Sequence, residues 1–252
     1  MIDVVAAIQQ RGAPAAANKT LKSIKTFMSW CVGRAILEKS PAEGIPLPSK
    51  EVARDRVLTD DELANVIFAA RKMGDPYGGI VEFSALTGQR REEVAQMQRD
   101  ELDLPQRLWT IPKSRAKNNK PHFVQLSDQA IAVLQRQKLH GAFVFSVLGQ
   151  NPFQGFSKAK RELDRLSGVT GWRLHDLRRT CVSGMARLGV APHVADKILN
   201  HQSGTISGVA AIYQRHQFLA ERKEALERWG AHVDALLKTA ANGRPTTLRR
   251  VA

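Results

Sequence analysis

The chain has 252 residues, 43% hydrophobic and 25% charged, which suits one large or two modest soluble domains with ample core. Its 38 Lys and Arg against 24 Asp and Glu leave a formal charge of +14 and a pI near 10.2, favouring nucleic acid or an anionic membrane as partner. No apolar run approaches the roughly 20 residues of a membrane span, no signal segment opens the chain, and Cys31 and Cys181 lack any CxxC spacing. A membrane role, a disulfide framework and a zinc site are therefore disfavoured, and a reducing, cytoplasmic compartment is expected.

Apolar positions at helical spacing predict helices over 3–11 and 20–38, the second through Leu21, Ile24, Met28, Cys31 and Ala35. Gly12-Ala13-Pro14 separates them, and Lys19, Lys22, Lys25 and Arg34 make the solvent side basic. Pro41, Pro46 and Pro48, with mixed charge around them, read as an extended linker from Ser40 to Arg56. Thr59 followed by Asp60-Asp61-Glu62 reads as the N-cap and acidic first turn of a new domain. Helical periodicity then runs through 77–86, breaks at Thr87-Gly88 and resumes over 90–97.

Beyond Asp100 the period changes. ELDL, RLWTIP and HFVQL read as short strands, and KSRAKNNKP between the last two reads as the turn at a hairpin tip. Ser127-Asp128 caps another helix, FVFS (143–146) reads as a short strand, and 155–167 is again helical. A helix spans the region of Leu174 to Leu188, Gly189 stops it, and Pro192 opens a short helix ending at Leu199. Tyr213 sits in a small amphipathic segment, a longer amphipathic helix runs over 218–237, and the tail NGRPTTLRRVA is basic and expected to be disordered. The fold class is mostly α with a small antiparallel β-sheet. The expected divisions are 1–48, 49–230 and 231–252.

Several residues invite a chemical reading, each with a blander one beside it. His175 and Arg178 stand three apart on one helix face, a spacing that also describes an ordinary surface pair. Arg90 precedes Glu93 by three, so the carboxylate can orient the guanidinium, or the two can form a plain surface salt bridge. Lys113, Lys117 and Lys120 share the hairpin tip, where a lysine is solvated, contacts phosphate or acts as a general acid; spacing does not choose among them. His201 alone reads as a structural imidazole and Tyr213 alone as a packing residue. No HxxxH or HExxH pattern occurs, so no metal site is expected. The order Arg…Lys…His-x-x-Arg…His…Tyr is far more specific than any member of it.

That order, with the stretches TGQRREEV (87–94), WTIPKSRAKNNKPHFVQLS (109–127), LHDLRRT (174–180), ILNHQSG (198–204) and AIYQRH around Tyr213, resembles the tyrosine recombinase (phage integrase) family, in particular integrases of temperate phages and genomic islands. The resemblance covers residues 57–230, and 18–45 is similar to the end of the family's helical core-binding domain. It implies a tyrosine-recombinase catalytic domain preceded by part of that DNA-binding domain; the sequence suggests an incomplete protein, in which no amino-terminal arm-binding domain is visible.

The resemblance also implies roles. Arg90, Lys117, His175, Arg178, His201 and Tyr213 are the expected catalytic set, with Tyr213 as nucleophile and Glu93 and Asp176 in support. Lys113, Arg115, Lys120 and Arg179 are expected to contact DNA. Where the family more often has Leu-Gly-His, this chain has Leu-Asn-His, and asparagine fills the glycine position because it tolerates a left-handed backbone.

The chemistry agrees: two guanidiniums and an imidazole suit a phosphate whose negative charge grows in the transition state, and a phenol with a pKa of about 10 needs a base, for which His175 is the candidate. The implied activity is site-specific DNA cleavage and rejoining, integrating or excising a mobile element, with no metal, nucleotide or other cofactor. Expected partners are duplex attachment sites, other protomers (a tetramer on paired sites) and accessory DNA-bending or directionality factors. The helix after Tyr213 and the basic tail are expected to dock on a neighbouring protomer. Two alternatives stand beside this reading, a catalytically silent DNA-binding regulator and a topoisomerase-like DNA-relaxing enzyme.

Overall fold

A computed structural model describes residues 2–51, 54–116, 118–137, 141–201 and 217–242. The chain divides into two compact units, Met1–Asp55 and Arg56–Ala252. That division falls a few residues beyond the 48/49 boundary read from the sequence.

In the first unit, α1 (Ile2–Gln10) and α2 (Pro14–Gly33) pack through Val5, Ala17 and Leu21. Helix α2 starts earlier than its apolar spacing suggests because Pro14 occupies the first turn, where a missing N–H costs nothing. It ends at Gly33, and Ala35, counted in the sequence as helical, turns out at φ 55°. The proline-rich stretch read as a linker lies along these helices. Asn18 donates to Ser49 O at 2.8 Å, Lys25 to Ile45 O at 2.5 Å, and Lys22 bonds Glu51 at 2.7 Å. Polar residues on one side of α2 thus satisfy the backbone of a segment that cannot form its own ladder.

The second unit is built around α4 (Tyr77–Thr87), every residue of which is buried. Helix α3 (Asp60–Met73) packs on it, opened by a capping box in which Glu62 N donates to Thr59 Oγ1 at 3.2 Å and Thr59 N to Glu62 Oε2 at 2.9 Å. Then come α5 (Arg91–Ala95), the strands β1 (Leu102–Asp103), β2 (Leu108–Ile111) and β3 (His122–Gln125), and the helices α6 (Asp128–Arg136), α7 (Phe156–Ser167), α8 (Leu174–Arg187) and α9 (Pro192–Ile198). The sheet is antiparallel in the order β1-β2-β3, with Trp109 opposite Val124 and Ile111 opposite His122. Period-2 alternation turns Trp109, Ile111, His122 and Val124 inward. FVFS, read as a strand, contributes only a single bridge between Phe143 and Gln98.

The last helix among the described residues is α10 (Leu219–Asn242). Its apolar residues Ala225, Leu226, Trp229, Val233 and Leu237 are buried in their own domain. Trp229 explains why: its Nε1 donates to Ala85 O of α4 at 2.9 Å, and its ring fills the space left by Gly184 of α8, where a Cβ would meet ring carbon at 2.1 Å. One aromatic side chain therefore ties α4, α8 and α10 together. The tail after Asn242 lies outside the described residues, and among these no helix is long and apolar enough to cross a membrane.

Candidate active site

Gly88 ends α4 in the left-handed region at φ 66°, turning the chain sharply into the extended Arg90 at the mouth of α5. Glu93, 4% exposed, then acts twice. Its Oε2 accepts from Arg90 N at 3.0 Å, capping the helix, and its Oε1 accepts from Arg90 Nη1 at 2.9 Å, fixing the guanidinium.

The N-terminus of α8 is built the same way. Asp176 is fully buried and accepts from Arg173 N at 2.8 Å and from Arg179 Nη1 at 2.8 Å. Thr180 Oγ1 donates to Asp176 O and accepts from Leu58 N at 3.0 Å. This buried carboxylate locks the first turn, so that His175 faces out while Arg178 faces in. Arg179 is part-exposed and tied to Asp176.

Arg178, 3% exposed, donates from Nη1 to Gly88 O at 2.7 Å and from Nη2 to Leu199 O. Gly88 caps α4 and Leu199 caps α9, so the guanidinium meets one carbonyl at the negative end of each helix. Burial, and then the charge of Arg90, push its pKa down to about 10, which leaves it a cation at neutral pH. Asn200 follows at φ 53°, the left-handed conformation anticipated for it, and delivers His201 into the same region. His201 Nδ1 lies 3.5 Å from Asp196 Oδ1.

Both exposed imidazoles are held below the usual histidine range. For His175 the causes are burial, then Arg178 and Arg179; for His201 they are burial, then Arg178, opposed by Asp196. Arg90 lowers both in turn. The charges of Arg90 and Arg178 thus reach both His175 and His201. Lys117 and Tyr213 lie outside the described residues.

Of the expected DNA contacts, Lys113 and Lys120 are exposed on the hairpin. Arg115 is turned inward instead: its Nε donates to Glu101 Oε1 at 3.0 Å and its Nη1 to Glu93 O at 3.1 Å. Beside His175 opens a cavity of about 660 Å³ lined by Arg90, Arg91, Lys160, Arg173 and the rings of Phe156 and Trp172. Arg91 lies over Phe156 at 4.7 Å and Lys160 over Trp172 at 4.1 Å, so the walls carry cations held on aromatic faces. Among the described residues no group of three or more His, Cys, Asp or Glu side chains could hold a metal ion.

The sequence pattern of the phage integrase family matches residues 56–219, well over half of the chain. The chain belongs to the phage integrase family. Among relatives, it is 25% identical over 244 residues to prophage integrase IntA of Escherichia coli K12, covering 93% of this chain and 58% of IntA. It is 22% identical over 198 residues to tyrosine recombinase XerC of Mycobacterium sp. strain KMS, covering 72% of this chain and 66% of that protein. The chain therefore spans somewhat under two thirds of the length of these relatives. Its fold matches lambda integrase, residues 75–356, in a dimer bound to a COC′ core site, with a TM-score of 0.64 at 16% identity over 82% of this chain and 79% of that one. As a phage integrase of the tyrosine recombinase type, the chain has the mostly helical catalytic fold with a small antiparallel sheet that its sequence implies.

Three residues of this integrase site escaped the sequence reading. Ile198 O, the last carbonyl of α9, accepts from Gln89 Nε2 at 2.9 Å and bonds His122 Nε2 at 3.1 Å, while Arg222 lies near enough to influence His122. The inward register of His122, opposite Ile111 and level with Val124, was readable from the alternation; its carbonyl partner was not.

Burial first, then Arg222, drive the His122 pKa down to about 3, well below the ordinary 6.5 of the unfolded chain. The folded state therefore refuses a proton that the unfolded state takes up, so stability is full above pH 6.5 and is lost as pH falls toward 3. From neutral pH to pH 5 this one group costs about 2 kcal/mol. Denaturant melts of the wild type and His122→Gln should differ in slope with pH, the variant being flatter across that window. Parallel slopes would remove His122 as the cause.

Proposed function

We propose that this chain cuts and rejoins duplex DNA at specific sites through a covalent 3′-phosphotyrosine on Tyr213, integrating or excising a mobile element. The observation that carries the reading is the shared site of two oriented guanidiniums and two neutral imidazoles on the framework of an integrase. Arg90 and Arg178 clamp the non-bridging oxygens of the scissile phosphate, and a neutral His201 adds a third donor. Neutral His175 accepts the proton of Tyr213 as its oxygen attacks phosphorus. The P–O5′ bond breaks, and the 5′ oxygen takes a proton from Lys117. Reversal by another 5′ hydroxyl rejoins the strand, because the phosphotyrosine conserves the phosphodiester.

Lys113, Lys120 and Arg179, with the basic cavity beside His175, suit the flanking phosphates. Arg115 serves the hairpin from inside. Lambda integrase forms a tetramer bound to a Holliday junction, in a structure whose fold matches this chain with a TM-score of 0.63, and this supports assembly of four protomers on paired sites.

The test is covalent capture. The protein is mixed with a library of nicked duplexes, stopped with SDS, and the attached DNA is sequenced. An SDS-resistant adduct enriched in one sequence is expected, together with affinity that falls steeply as salt rises from 50 to 200 mM, on the order of 10³-fold or more if several phosphates are contacted. Salt-sensitive binding with no adduct would make the chain a regulator instead. Relaxation of supercoiled plasmid at any sequence, without site enrichment, would favour the topoisomerase-like activity.

A further inference from the structure

The reaction as drawn leaves two amides unused at its centre. Asn118 follows Lys117 directly in the chain, and Asn200 directly precedes His201. Asn118 Nδ2 donates to Asn200 Oδ1 at 2.6 Å, and Asn200 Nδ2 donates back to Asn118 Oδ1 at 3.4 Å. One amide pair, 82 residues apart in sequence, thus joins the tip of the β2–β3 hairpin to the turn that presents His201.

Three further details give this bridge weight. Asn118 Oδ1 also accepts from Lys120 N at 3.3 Å, so the same side chain shapes the tip locally. Asn200 is left-handed at φ 53°, a conformation glycine supplies more cheaply, so its side chain adds something the backbone does not need. On the other flank of the tip, Arg115 donates to the carbonyl of Glu93, the residue whose carboxylate orients Arg90. At the base of the hairpin His122 bonds Ile198 O, two residues before Asn200. The hairpin is fastened on one side to the Arg90 motif and on the other to the His201 motif.

We propose that Asn118 and Asn200 are positioning residues for leaving-group protonation: their bridge sets the hairpin tip against the His201 turn so that the Lys117 ammonium meets the 5′ oxygen. This rests on the assignment of Lys117 as general acid. Lysine reaches its target on a long flexible stem, so the placement of its backbone neighbours decides the reach, and misplacement by about 1 Å can cost on the order of 10²-fold.

The test compares two substrates. One carries the natural phosphodiester; the other has sulfur in place of the bridging 5′ oxygen and releases a thiolate, which with a pKa of about 8.5 leaves without being protonated. Asn200→Gly keeps the left-handed backbone and deletes the bridge, and Asn118→Ala deletes it from the hairpin side. Each is expected to form adduct about 10- to 100-fold more slowly on the oxygen substrate and at the wild-type rate on the sulfur substrate. The double variant is expected to be no slower than either single one.

Equal slowing on both substrates, no slowing on either, or additive effects in the double variant would overturn the proposal. Lys117→Ala separates this from the underlying assignment. If sulfur rescues Lys117→Ala while the asparagine variants behave as wild type, only the bridge fails. If sulfur does not rescue Lys117→Ala, the assignment of the acid fails.

Discussion

Tyr213→Phe is expected to abolish the SDS-resistant DNA adduct while leaving affinity within about twofold, since phosphate contacts dominate binding and the phenolic oxygen supplies none of them. The variant loses the single atom that forms the bond to phosphorus. The chain has one other tyrosine, Tyr77, and the structure disqualifies it. Tyr77 is 4% exposed at the start of α4, with Phe153 at 5.4 Å and Phe156 at 6.1 Å between ring centres. Burial raises its pKa above the usual tyrosine value, and its hydroxyl finds no hydrogen-bond partner among the described residues.

A phenol in that position neither reaches a phosphate nor ionises. Tyr77→Phe, which deletes an unsatisfied buried hydroxyl, should therefore keep full adduct formation and lose no stability. Gel analysis of captured DNA with the two variants decides the matter. Adduct persisting in Tyr213→Phe would move the nucleophile elsewhere in the chain.

The parts of this molecule legible in its sequence are those written in short-range chemistry. Thr59 and Ser127 cap α3 and α6 because their hydroxyls reach an N–H three residues on, and that spacing is visible without a structure. The same holds for the turn at Gly88, the start of α9 at Pro192 and the left-handed Asn200.

What was not legible is which distant group each side chain meets. Arg178 finds the carbonyls of Gly88 and Leu199, Gln89 and His122 converge on Ile198, and Arg115 turns to Glu101 and Glu93. Nothing in local periodicity encodes a bond across 76 or 109 residues. The amphipathic pattern of α10 has the same limit: it says that a face is buried and is silent about what buries it, whereas Gly184 opposite Trp229 shows the partner.

Arg178→Ala should lower single-turnover cleavage by about 10²–10³-fold, the usual consequence of losing one preorganised donor to a developing oxyanion. It should also destabilise the fold, because the carbonyls of Gly88 and Leu199 lose their donor inside the protein at about 1–3 kcal/mol apiece. Arg90→Ala separates the two effects. Its guanidinium is partly exposed and held by the Glu93 carboxylate, which keeps its capping bond to the residue 90 N–H after truncation. Cleavage should fall to a similar degree with a smaller change in melting.

Arg178→Lys restores charge without the planar fork that spans two carbonyls and a phosphate, so it should recover part of the stability and little of the rate. The field of Arg178 also holds the His175 and His201 imidazoles down. Removing that cation makes both easier to protonate, so the acid limb of the remaining activity should move to higher pH. Cleavage by Arg178→Ala within tenfold of wild type, or an unmoved acid limb, would take Arg178 out of the phosphate clamp.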